Sequence, residues 1–84
     1  MPEISRFYGI TIKMYFLGNE HNPPHIHAIY NKSIALIDIQ TINVIEGNLP
    51  KRAERLVKEW IKIHKNEIID IWISQKFKKI EPLN

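Results

Sequence analysis

The sequence predicts an α+β fold, a small antiparallel sheet of three to four strands followed by one or two C-terminal helices packed on one face. Two observations carry this prediction. Apolar residues alternate with polar ones in the first half of the chain and recur every three to four residues in the second half. Strands that precede the helical part, without alternating with it, favour an antiparallel sheet. We expect residues 1–84 to form a single domain.

The first strands show the clearest alternation. In residues 10–17, every second side chain is apolar and the intervening ones face the other way, as in a half-solvated strand. Gly9 marks a bend or bulge after a short leading strand, Ile4–Tyr8. The face expected to enter the core consists of Ile10, Ile12, Met14 and Phe16.

The later strands are predicted from short apolar runs between turn residues. Residues 25–30 and 33–39 form two strands joined by a tight turn at Asn31–Lys32. The second of these runs is almost entirely apolar, so we expect a central strand covered on both faces. A short strand through Ile42–Ile45 completes the candidates.

The helical part begins after Pro50, since proline is tolerated in a first turn. No glycine or proline interrupts Lys51–Phe77. We expect a break near Lys65–Asn66 into two helices, because one helix of this length would extend about 40 Å. His64 lies within the apolar stripe and is expected at the core edge, donating to a backbone carbonyl. The stripe starts with Ala53, Leu56, Val57, Trp60 and Ile61.

Composition excludes several classes of protein. The chain has no cysteine, which excludes disulfide scaffolds, thiol redox centres, cysteine nucleophiles and cysteine-based zinc ribbons. No apolar run approaches the roughly 20 residues of a membrane-spanning helix, and the N-terminus has no apolar core of a signal peptide. We therefore expect a cytoplasmic protein with no membrane partner.

Positive charge is concentrated in the C-terminal third. Residues 51–84 contain nine basic and five acidic residues, against three basic and four acidic in residues 1–50. On a helical wheel, four of the basic residues fall within about 40° of Lys51, opposite the apolar stripe. This basic face is predicted to bind a nucleic-acid backbone, although a solvated helix shows a charged face in any case. Its members are Lys51, Arg55, Lys58, Lys62 and Lys65.

The second candidate site is the histidine segment, residues 21–27, with the sequence HNPPHIH. His25 and His27 are two residues apart, so a strand would point both rings to the same face. Pro23 and Pro24 stiffen the loop that could bring His21 back toward the pair.

Three interpretations of the histidine segment stay open. His21, His25 and His27 could bind zinc or a related ion, with Asp38 or Glu46 adding a carboxylate. Alternatively, His25 and His27 could act as acid and base in RNA cleavage, with Arg6 or a helix lysine holding a phosphate. In the third interpretation the rings are structural or interfacial and perform no chemistry.

Several segments together resemble a known family. They are PEISRFYGITIKMYF, HNPPHIH, IALIDI, EGNLPKRAERLVKEWIKIH, EIIDIW and KKIEPL, which cover residues 2–83. The chain resembles the small bacterial proteins of domain-of-unknown-function (DUF) family 4160. The resemblance implies a small bacterial cytoplasmic protein whose relatives often occur beside a gene of a second such family, 2442, in an arrangement similar to toxin–antitoxin pairs. It transfers no catalytic residue, because the family has no assigned activity.

The sequence thus predicts a toxin–antitoxin-type component that binds a small protein partner or a second copy of itself, with RNA as a further ligand. A partner surface is expected at Ile69, Ile73 and Phe77. The alternatives are a small metal-binding protein and a purely structural interaction module. Neither a cofactor nor an enzymatic activity follows from the sequence.

Overall fold

The computed structural model describes residues 3–14 and 24–83 and has an α+β architecture. Within these residues, five strands form one antiparallel sheet in the order β1-β2-β3-β4-β5, each pairing with the next along the chain. One helix follows the sheet in the described part of the chain. The elements are β1 (Glu3–Phe7), β2 (Ile10–Lys13), β3 (His25–Tyr30), β4 (Ser33–Asp38), β5 (Val44–Gly47) and α1 (Lys51–Ser74).

The predicted strand count of three to four was too low. The leading segment forms a full edge strand, because a two-residue turn at Tyr8–Gly9 separates β1 from β2. The short segment expected at Ile42–Ile45 also forms a strand, shifted toward the C-terminus as β5. Of the strand predicted at residues 10–17, β2 covers Ile10–Lys13, and positions 15–17 lie outside the described residues.

The core lies between the sheet and α1. The alternation predicted for β2 is confirmed, since Ile10, Ile12 and Met14 are at most 1% exposed. Cross-strand register places Ala28 of β3 opposite Ile12 and places Ala35 of β4 opposite Ala28, so all three lie on the same face. The helix covers this face with its own buried residues, which are Ala53, Val57, Trp60, Ile61, Ile68 and Ile71.

The prediction that the third apolar run is covered on both faces was wrong. Ala35 and Ile37 are fully buried, but Ile34 is 51% exposed and Leu36 is partly exposed. The reason is that the only described helix packs on one face of the sheet. Strand β4 lies inside the sheet, between β3 and β5, and is half-solvated despite its apolar sequence.

The break predicted near Lys65–Asn66 takes the form of a kink inside a single helix. One helix runs from Lys51 to Ser74, with non-helical backbone angles at His64 (φ −109°, ψ 19°). The chain bends there without ending the helix, one residue before the expected break. His64 lies at the core edge as predicted, but its Nδ1 lies 3.0 Å from Oε1 of Glu67, so it pairs with a carboxylate and not with a backbone carbonyl. The helix ends at Gln75, whose φ of 59° is left-handed.

The C-terminal segment is tied to the rest of the molecule. The backbone amide of Ile80 donates a 2.8 Å hydrogen bond to the carbonyl of Ile4, on the open edge of β1, and Ile80 is 4% exposed. The indole Nε1 of Trp60 donates a 2.8 Å bond to the carbonyl of Glu81. Residues 80 and 81 are thus part of the packed structure. Among the described residues, no helix has both the length and the apolar composition needed to cross a bilayer.

Candidate functional site

His25 and His27 share one face of β3, as their spacing predicts. Ile26, which lies between them, and Ala28, which follows His27, point into the core and are fully buried. The two imidazole centroids are 5.5 Å apart. His25 is only 5% exposed, and its ring also lies 5.3 Å from that of Trp72 on α1. His25 therefore packs near two rings, those of His27 and Trp72, while His27 is partly open to solvent.

Lys13 is the cross-strand neighbour of His27, and the sequence analysis did not assign it to this site. The antiparallel register of β2 and β3 pairs these two residues directly, and Leu36 of β4 flanks His27 on the other side. Residues paired in this way have Cβ atoms about 4.5–5.5 Å apart. The register depends on the loop between β2 and β3, which is too long to fix the pairing from sequence.

Partial burial lowers the pKa of His27, and the neighbouring His25 lowers it further. Both effects disfavour the imidazolium form. The neutral ring is the form that accepts a proton or binds a metal. His27 is also the more exposed of the two histidines, so it is the better candidate to accept a proton or bind a metal.

Arg6 lies on the same sheet face but not beside the histidines. Arg6 pairs with Thr11 of β2. Thr11 lies two residues from Lys13, which is the partner of His27 on β3. Two strand spacings separate β1 from β3, about 10 Å. Its guanidinium also forms a 2.8 Å ion pair with Glu3. The catalytic roles predicted for His25, His27 and Arg6 stay predictions, and Arg6 would have to leave Glu3 to reach a phosphate held at His27.

The predicted metal site cannot be traced in full, because His21 lies outside the described residues. Among residues 3–14 and 24–83, no three potential metal ligands come close enough to hold an ion. Asp38 pairs with His25 in the sheet register, but its Oδ1 accepts backbone bonds from Gln40 (2.7 Å) and Thr41 (3.0 Å). That carboxylate thus shapes the turn after β4. The metal-binding role of His21, His25 and His27 stays a prediction.

The basic face predicted on α1 is present, except at its C-terminal end. Lys51, Arg55 and Lys62 are exposed, and Lys58 is partly exposed beside Glu54, at a distance of 3.1 Å. Lys65 differs, since its Nζ donates a 2.9 Å hydrogen bond to the carbonyl of Gln40. It follows directly on His64, where the helix bends. Four of the five predicted cations thus stay on the solvent side of the helix.

These four cations and two glutamates, Glu54 and Glu59, border a shallow, open space between side chains on one face of α1. Four cations against two carboxylates give this face a net positive charge. The described residues offer no ion pair to Lys51, Arg55 or Lys62. We call this feature the cationic groove; its cations are Lys51, Arg55, Lys58 and Lys62.

The predicted partner surface is only partly exposed. Ile69 packs against the core, whereas Ile73 is 73% exposed and Phe77 is 40% exposed. Ile34 and Ile45 on the sheet are further exposed apolar residues that the sequence analysis did not predict. Their exposure depends on which sheet face the helix covers, which strand periodicity alone does not reveal.

Comparison with known proteins gives one match. Residues 9–73 match the family model described as "Domain of unknown function (DUF4160)". This range runs from the turn before β2 almost to the end of α1 and includes both candidate sites except for Arg6. No curated protein and no solved structure matches the chain.

Proposed function

We propose that this chain, which belongs to the DUF4160 family, is an RNA-binding protein that contacts the phosphate backbone through the cationic groove of α1. The observation that carries the proposal is the exposure of Lys51, Arg55 and Lys62 on one side of one helix, unpaired among the described residues. A row of such cations releases counterions when it meets a phosphate backbone.

The groove is better suited to binding RNA than the histidine end of the sheet is to cleaving it. His25 is nearly inaccessible, and Arg6, although its side chain is exposed, is paired with Glu3. Lys51, Arg55 and Lys62 are exposed and need no rearrangement to reach solvent. Binding alone is therefore the simpler function for these side chains.

The test compares two variants that remove the same charge from different places. Arg55→Ala/Lys62→Ala removes two cations from the groove, and Lys76→Ala/Lys78→Ala removes two exposed cations from the C-terminal segment. We expect the first variant to bind a labelled RNA oligonucleotide at least about 10-fold more weakly than the wild type at low salt, and the second to change little. Fluorescence polarisation measures both.

Two results would contradict the proposal. Equal loss in both variants would mean that binding follows net charge and not the groove. Equally tight binding of polyglutamate would mean that the groove recognises negative charge in general and not a phosphate backbone.

Membership of a toxin–antitoxin-type pair is the second candidate function. It is supported by the exposure of Ile73 at the end of α1, because a large apolar side chain on a helix end is a common contact in protein interfaces. Co-purification with any small protein whose gene adjoins that of this chain tests the idea. Ile73→Lys should abolish capture while leaving the melting temperature unchanged, and capture by this variant as by wild type would exclude Ile73 from the interface.

A further inference from the structure

Tyr8 occupies a backbone position that its side chain disfavours. The turn between β1 and β2 has two central residues, Tyr8 and Gly9, with φ of 49° and 78°. Positive φ at both positions is what a type I′ hairpin turn requires, and asparagine followed by glycine is the preferred pair. A tyrosine at the first position has a strained backbone, so the geometry of the turn does not explain why a tyrosine is there.

The side chain of Tyr8 is also not used to build the core. Tyr8 is 52% exposed, whereas the preceding residue, Phe7, is 6% exposed. The ring of Phe7 packs against that of Trp60, with centroids 5.6 Å apart. The ring of Tyr8 contacts that of Phe7 edge-on, with centroids 6.5 Å apart and planes at 83°. A large aromatic side chain is thus held at the surface on a strained turn.

A small hollow lies beside this ring. Tyr8 and Tyr30 form one side of it, and Pro50, Arg52 and Leu56 of the helix start form the other. Its volume of about 50 Å³ is little more than the space of one or two water molecules. The hollow can admit the edge of a ring but cannot enclose a whole one.

The hollow and the cationic groove adjoin along α1. Arg52, which lines the hollow, is exposed and stands three residues before Arg55, which lines the groove. Side chains at this spacing are neighbours on a helix surface, about 5–6 Å apart. A chain of phosphates in the groove would therefore continue past Arg52 to the rings of Tyr8 and Tyr30.

We propose that Tyr8, with Tyr30 and Arg52, is a seat for one unpaired nucleobase at the end of the cationic groove. This inference rests on the proposed function and defines its ligand, which is single-stranded RNA. A base stacks on Tyr8 while Arg52 pairs with an adjoining phosphate. Stacking needs a base that is free of its complement, because the rings of a duplex are stacked on each other.

The seat discriminates weakly between bases. The hollow is too small to enclose a base, and every base has a face that can stack on an aromatic ring. We therefore expect a preference for single strands over duplexes but little preference for sequence.

The test uses Tyr8→Asn, which removes the ring and places a favoured residue in the turn. Binding of a uridine oligonucleotide should fall at least about 5-fold, the weak end of the range for loss of one stacked base. Binding of a blunt RNA duplex should change by less than about 2-fold, because a duplex contacts only the cations. The melting temperature should stay the same or rise, which separates loss of the ring from loss of the fold.

Two further variants test whether the ring of Tyr8 binds the base. Tyr8→Gly also relieves the turn and removes the ring, so it should lose binding as Tyr8→Asn does. Tyr8→Phe keeps the ring and should bind as wild type. Wild-type affinity of both Tyr8→Asn and Tyr8→Gly for the uridine oligonucleotide would overturn the seat, while the groove variants could still confirm RNA binding. If the wild type binds neither oligonucleotide nor duplex, the proposed function itself fails.

Discussion

The ammonium group of Lys65 donates a 2.9 Å hydrogen bond to the backbone carbonyl of Gln40, in the turn after β4. This bond ties the helix to the sheet immediately after the bend at His64. It also separates Lys65 from the other four cations predicted on the basic face. Lys62 and Lys65 are therefore close in sequence but differ in what they contact.

This difference predicts opposite effects of two similar substitutions. Lys62→Ala should weaken RNA binding about 3- to 10-fold and leave stability unchanged, because Lys62 is exposed in the groove. Lys65→Ala should leave RNA affinity within about 2-fold and lower the free energy of unfolding by about 0.5–1.5 kcal/mol, since it removes a single hydrogen bond. Polarisation and urea unfolding give the two quantities. An equal loss of affinity in both variants would place Lys65 in the groove.

Glu54 restrains one cation of the groove. Its Oε2 lies 3.1 Å from Nζ of Lys58, and both side chains are about one-third exposed. Glu54→Gln frees Lys58 and removes a negative charge from the groove, so RNA affinity should rise about 2- to 5-fold at low salt.

Asp70→Asn is the matched control for Glu54→Gln. It makes the same change in net charge at an exposed position of α1 outside the groove, so RNA affinity should change less. If both variants bind RNA equally tightly, the effect is one of overall charge, and the local ion pair has no role.

Two glycines with similar backbone angles should differ in their tolerance of alanine. Gly9 and Gly47 have φ of 78° and 77°. A Cβ at Gly9 would lie 3.5 Å from the ring of Tyr30, an ordinary contact, but one at Gly47 would collide with the carbonyl oxygen of Ile34. Gly9→Ala should cost about 1–2 kcal/mol from backbone strain alone. Gly47→Ala should cost clearly more, because the backbone of β4 or β5 must shift. Equal urea midpoints for the two variants would show that the backbone around Gly47 can shift to accept a Cβ at little cost.

The lowered pKa of His27 makes stability depend on pH. Between the folded-state pKa and the ordinary value of 6.5, the unfolded chain binds more protons than the folded one. The free energy of unfolding should therefore rise as the pH increases through this window, and fall as the pH decreases below 6.5. His27→Gln should reduce the slope. Measurements from about pH 5.5 to pH 8 stay above the ordinary value of 4.5 for Glu3, whose pKa is also lowered in the folded protein, so Glu3 contributes little to the slope. An unchanged slope in the variant would assign the pH dependence to other groups.

Most of the fold could be predicted from local patterns. Alternation in residues 10–14 predicted the core face of β2, and the spacing from Ala53 to Ile61 predicted the buried stripe of α1. The strand count was underestimated because the Tyr8–Gly9 turn contains only one of the residues that usually mark a hairpin. The coverage of β4 was overestimated because an apolar run does not reveal how many layers pack on a sheet.

The candidate sites show where local patterns stop being informative. Spacing correctly placed His25 and His27 on one face and four cations on one side of the helix. It could not predict the burial of His25 beside Trp72 or the bond from Lys65 to Gln40, since both join segments far apart in sequence. Lys13 was missed for the same reason, because its pairing with His27 depends on the register across a long loop.

The salt dependence of RNA binding tests the central claim most directly. For single strands, each cation that contacts a phosphate contributes about 0.7 to the slope of log K against log salt concentration. We predict a steep slope for the wild-type protein and a slope about 1.4 smaller for Arg55→Ala/Lys62→Ala, which lacks two groove cations. The same slope in both proteins, or no dependence on salt in the wild type, would contradict binding through the cationic groove.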